Sequence, residues 1–189
     1  KEAANIVVTG ISSSFVIMAQ AIEPDNFKKI ILVNPSDINI IREMPTKETN
    51  AAKTILEIPI IGTFIYNLIM HHKRIRNYIE SKYFFKKTFL SSKLEDTYFE
   101  SAHKGNSAGK YLLASTKGNY VNIDITNAVK KADKLYIISS KERNNAVAIT
   151  EKYLHLNKNI EATYISNSRY LPQLETPDKF KDIVLMFLQ

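Results

Sequence analysis

The first apolar run of the chain, Ile6-Val7-Val8, is continuous and β-branched, the pattern of a strand covered on both faces. Thr9-Gly10 closes it. From Ser13 the spacing changes, and Phe15, Met18, Ala19 and Ile22 recur at helical intervals. Glu23-Pro24-Asp25-Asn26 reads as a turn. A second buried run, Lys29-Ile-Ile-Leu-Val-Asn34, ends at Pro35-Ser36-Asp37. Two such strands around one helix predict a βαβ unit. Strand character returns at 134–139 and 161–166, with a helix over 145–156 between them. Thr176-Pro177-Asp178 opens a last helix reaching Leu188, with Thr176 as cap and Phe180, Ile183, Val184 and Phe187 as its apolar stripe.

Between the two βαβ regions the pattern is helical. Stretches 50–56, 61–70, 75–83, 94–103, 108–115 and 124–131 favour helix, and no useful period-2 alternation appears. The expected organisation is a βαβ core over 1–37, a helical lid over 38–132 and a closing core over 133–189. The fold class is α/β: about four parallel strands with an inserted α-helical lid. Ligands of such folds bind beyond the carboxyl ends of the strands. Ser12, Asp37, Glu142 and the 168–172 loop all fall at such ends.

Composition narrows the function. The 189 residues are 44% hydrophobic, enough for one well-filled core. Cysteine is absent, which excludes disulfides, a thiolate metal site and a cysteine nucleophile. That composition suits a reducing compartment, and a cytoplasmic location is expected. No cofactor or metal is expected. No run reaches the roughly 18 apolar residues of a membrane span. The nearest, Ile58 to Met70, is interrupted by Pro59, Gly62, Thr63 and Asn67, so no integral membrane segment is expected. The net charge of +7 is dispersed. Its densest groups, His71 to Arg76 and Lys82 to Lys87, read as solvated basic helix faces, so no nucleic-acid partner is expected.

A serine after a buried strand, at the start of a helix, matches a nucleophile elbow. The elbow needs small residues two before and two after its serine. Ser12 has Gly10 and Ser14 there. Ser13 would have Ile11 and Phe15, and Ser14 would have Val16 on one side. Ser12 therefore fits best, and the same residue also reads as a helix N-cap.

In these pieces the chain resembles the alpha/beta hydrolase superfamily, from the nucleophile strand to the C-terminus. The resemblance rests on Val8-Thr9-Gly10-Ile11-Ser12-Ser13-Ser14, on Ile30 to Pro35, on the lid start Ile58 to Gly62, on Tyr136 to Glu142 and on Asn167 to Pro177. It implies a serine hydrolase acting on an ester or similar acyl substrate. Ser12 is then the nucleophile, the Ser13 amide holds the oxyanion and Glu142 is the acid, with Asp37 as an alternative acid. Tyr170 stands where the general-base histidine belongs, and a phenol is a poor base for a serine hydroxyl at neutral pH. The alternative is a catalytically impaired relative that binds a small apolar ligand or a partner. His71, His72, His103 and His155 read as surface residues. The resemblance covers only the second half of the family's fold. Four further strands would normally precede Ala4, and an upstream half of the core is expected to cover the edge at Ile6 to Val8.

Overall fold

The computed structural model describes residues 2–189, apart from the side chain of Asn106. Lys1, where the first expected segment begins, lies outside the described residues. Two compact units are present. One comprises the chain up to Arg42 together with Ile123–Gln189, and the other is Glu43–Asn122.

The first unit is built on a parallel sheet of β1 (Ala4–Thr9), β2 (Phe27–Val33), β3 (Leu135–Ser140) and β4 (Glu161–Ile165), in that order across the sheet. Its helices are α1 (Ser12–Ile22), α2 (Ile38–Ile41), α8 (Thr126–Lys131), α9 (Ala146–Leu156), α10 (Pro172–Glu175) and α11 (Pro177–Leu188). The central strands read as unbroken apolar runs because both faces are covered. Ile30, Leu32, Leu135 and Ile137 pack with Ile17, Val129, Ile149 and Tyr153 on one side. Ile31, Val33, Ile138 and Ile165 pack with Phe187 of α11 on the other. Complete burial of one such side chain contributes about 1.5–3 kcal/mol. β1 forms one edge of the sheet, with Val7 47% exposed and Ile6 and Val8 half-buried.

Residues 38–42 and 123–132, expected with the helical insertion, belong instead with the sheet. Ile38, Ile41, Ile125, Ala128, Val129 and Ala132 are buried in its main core.

The second unit holds α3 (Lys47–Glu57), α4 (Pro59–Ile69), α5 (His72–Lys82), α6 (Ser92–Ser107) and α7 (Gly109–Lys117). Thr46 and Thr49 cap α3 reciprocally. Pro59 then starts α4 at 96° to α3. Gly62 permits that corner, since a Cβ there would run into the Leu56 carbonyl. Buried Tyr66 donates to the Ala102 carbonyl at 2.6 Å, tying α4 to α6. Among the described residues no single helix is long and apolar enough to cross a membrane.

Candidate functional site

The turn between β1 and α1 is where a nucleophile would stand. Thr9 is the last residue of β1 and Ser12 the first of α1. Between them Gly10 takes φ +60°, and its amide donates to the Val33 carbonyl at 3.2 Å. The left-handed residue of this strand-turn-helix is therefore Gly10, two positions before the serine expected at the apex. Glycine adopts that conformation without steric cost. Space is open where its side chain would be, with no atom within 4 Å of a Cβ built there.

Ser12 is exposed, and its Oγ forms no hydrogen bond among the described residues. It is not the N-cap of α1. Ile11 fills that position and offers no side-chain acceptor. The Ser13 amide, expected to face an oxyanion, donates to the Gly10 carbonyl at 3.2 Å and closes the turn. Ser13 and Ser14 are both 1% exposed, and their hydroxyls lack partners.

Glu142 follows β3 as expected, but its carboxylate faces the backbone of another loop. It accepts from the amides of Asn167 at 2.9 Å and Ser168 at 3.1 Å. The physical role of the side chain is to pin the turn after β4, where Asn167 takes φ +63°. The residue that meets Tyr170 is the next one. The Arg143 guanidinium lies over the Tyr170 ring, 5.1 Å from its centroid. Nη1 of Arg143 donates to the Pro35 carbonyl at 2.8 Å.

Asp37, the alternative acid, caps α2 by accepting from the Asn39 amide at 2.9 Å. Lys152 of α9 grips both its oxygens, at 2.9 and 2.8 Å. Burial alone would raise this carboxyl, but hydrogen bonds from Lys152 and Asn39 and the charges of Lys152 and Arg143 outweigh it and hold the group below its ordinary value. Tyr153 sits nearby and donates to the Ser36 carbonyl at 2.9 Å. Burial pushes its phenol far up, the Arg143 charge opposing and the Asp37 charge adding.

Sequence reasoning missed a polar knot that joins the strand ends. Asn34, 1% exposed and at φ +49°, leaves β2 and turns its amide into the sheet end. Its Nδ2 donates to Ser140 Oγ at 3.0 Å and to the Tyr170 carbonyl at 3.1 Å, and its Oδ1 accepts from the Ser140 amide at 2.8 Å. Ser140 Oγ meets Ser168 Oγ at 3.1 Å. Ser168 in turn donates to buried Glu175, which also accepts from the Arg169 amide at 2.8 Å. The Asn-Pro pair closing the β2 run was its one visible signal. Most of the polar capacity between the ends of β2, β3 and β4 is thus consumed internally.

His72 pairs with Glu95 at 2.6 Å and His103 bonds the Phe99 carbonyl at 2.9 Å, both within the second unit. Among the described residues no group of three or more His, Asp or Glu is placed to hold a metal. A cavity of about 560 Å³ opens at the opposite, amino ends of the strands beside Gln20, Phe27 and Lys134.

Solved structures with this architecture include alpha/beta hydrolases. A serine hydrolase from Cycloclasticus zankles aligns with 99% of this chain and 64% of its own, at 13% identity and a TM-score of 0.70. A meta-cleavage product hydrolase from Pseudomonas fluorescens aligns over 99% and 65%, at 14% identity and 0.71. A Bacillus anthracis bromoperoxidase aligns over 97% and 66%, at 10% identity and 0.67. The chain spans just under two thirds of the length of each. No family model matches the sequence, and no curated protein matches it. The fold is that of part of an alpha/beta hydrolase, and at these identities the likeness shows the fold alone.

Proposed function

We propose that this chain is a hydrolase-fold protein that binds a small molecule without hydrolysing it. The observation that carries the reading is the residue at the turn's apex. The position whose left-handed backbone would lift a nucleophile off the sheet is Gly10, which has no side chain. Two further features support it. Tyr170 replaces the expected base, and the neighbouring turn offers it a cation, Arg143, where a carboxylate would orient a histidine. Triad members act as a unit, so losing nucleophile, base and acid together removes most of the rate they supply. The ligand site of this reading is the carboxyl end of the sheet, in a cytoplasmic protein.

The second reading is ester hydrolysis through Ser12. It is favoured by the exposure of Ser12 at the amino end of α1 and by the hydrolase names of the structural neighbours. A fluorophosphonate probe separates the two. The binding reading expects no Ser12 labelling above a heat-denatured control. Rapid labelling that Ser12→Ala abolishes would overturn it.

A further inference from the structure

We infer that the Arg143 guanidinium anchors a binding site for a small carboxylate monoanion, at the carboxyl ends of β1, β2 and β3. The inference rests on the non-hydrolytic reading above and names the ligand class.

Arg143 is 8% exposed, so its charge is largely removed from water. A buried cation is costly unless it is paired and hydrogen-bonded. Among the described residues no carboxylate lies within 4.0 Å of this guanidinium. The acids around it are committed elsewhere. Asp37 is gripped by Lys152, Glu142 by two backbone amides, and Glu175 by Ser168 and Arg169. Nη1 is used on the Pro35 carbonyl, and one face lies on the Tyr170 ring. Nε is buried and has no partner. The Nε edge of a guanidinium is a planar fork that matches the two oxygens of a carboxylate side-on.

Location and charge narrow the ligand. Gly10 bonds Val33 and Arg143 bonds Pro35, so the turn and the cation hold the same short segment at the end of β2. The missing side chain at Gly10 leaves open space over the amino end of α1, which favours negative charge. The N-cap residue Ile11 and Phe15 of α1 expose apolar surface beside it. One buried cation is neutralised by a monoanion, whereas a phosphate dianion would bring a second uncompensated charge. An acid with an apolar body fits these features.

The test titrates benzoate into the whole protein and follows the arginine Nε–H resonances by NMR, with benzamide as neutral isostere and inorganic phosphate as competing anion. Loss of one resonance in Arg143→Lys assigns Arg143. The expected result is a saturable shift of that resonance with benzoate and none with benzamide. By calorimetry, Arg143→Gln should weaken benzoate by about 30-fold or more. No saturable shift, an equal response to benzamide, tighter binding of phosphate, or unchanged affinity in Arg143→Gln would each overturn the carboxylate site. If Arg143→Gln fails to fold, the wild-type Nε response decides. Absent hydrolysis with absent benzoate binding sinks this inference and leaves the parent reading standing. Ester hydrolysis lost in Ser12→Ala sinks the parent reading.

Discussion

The Arg143 guanidinium rests over the ring of Tyr170, 5.1 Å from its centroid, at the ends of β3 and β4. A serine hydrolase needs the opposite pairing here, a carboxylate beside an imidazole. The acid orients the base and stabilises its charged form. An arginine disfavours a cationic base at Tyr170, so a histidine introduced there would stand against a like charge. Tyr170→His should therefore leave ester hydrolysis at the background of the unmodified protein, as should Ser12→Ala. Hydrolysis of p-nitrophenyl acetate, measured for both variants, checks this. A rise in Tyr170→His that Ser12→Ala then removes would restore Ser12 as nucleophile.

Gly10 gives a stability prediction on the same turn. An L-residue with a Cβ pays about 1–2 kcal/mol for the left-handed conformation, and nothing within 4 Å crowds a Cβ at this site. Gly10→Ala should therefore destabilise by about 1–2 kcal/mol, through backbone strain rather than a clash. Urea unfolding measures it. A neutral or stabilising result would mean that the turn is not left-handed at Gly10 in solution.

The strands were legible because burial on both faces writes a continuous apolar run, as in Ile30-Ile31-Leu32-Val33. The alternation of long helical stretches with those runs conveyed the α/β class. Which residue of the turn takes the left-handed conformation was not legible. A rule about small flanking residues ranks Ser12 above Ser13 and Ser14, but it cannot say which residue takes a positive φ. That is settled by where β1 lets go of β2, at Thr9 and Val33. The acid position turns on an equally local detail. Glu142 and Arg143 are adjacent on one turn, and a shift of one residue decides which side chain reaches Tyr170. The insertion boundaries were blurred because α2 and α8 are short amphipathic helices, and pattern alone does not reveal the surface they cover.

Asn34 supports the strand ends through one buried amide. Removing it strands the Ser140 amide and takes one partner each from the Ser140 hydroxyl, which keeps Ser168, and the Tyr170 carbonyl. A buried polar group left unmatched costs about 1–3 kcal/mol. Asn34→Ala should lose that and also suffer the left-handed backbone, at φ +49°. Asn34→Gly removes the same hydrogen bonds but relieves the strain, so it should be less destabilising than Asn34→Ala by about 1 kcal/mol. Urea midpoints of both variants test the order. Equal midpoints would show that the backbone term at Asn34 is negligible.

The Asp37–Lys152 pair makes stability depend on acid pH. Its carboxyl is held below the ordinary value of 3.8, because Lys152 and Asn39 outweigh the effect of burial. A carboxyl with a lowered folded-state value binds its proton more readily in the unfolded chain. Its contribution is therefore complete above 3.8 and is lost as pH falls through the folded-state value. Asp37→Asn keeps an acceptor for the Asn39 amide but removes the charge that Lys152 grips. The variant should be less stable than the wild type at pH 7, and the gap should close as pH falls below 3.8. Unfolding free energies of both proteins from pH 7 down to pH 2.5 or so, in the range where carboxyls titrate, would trace this convergence. A gap that stays constant with pH would mean that Asn at this position costs packing alone and that the pair carries no pH-linked stability.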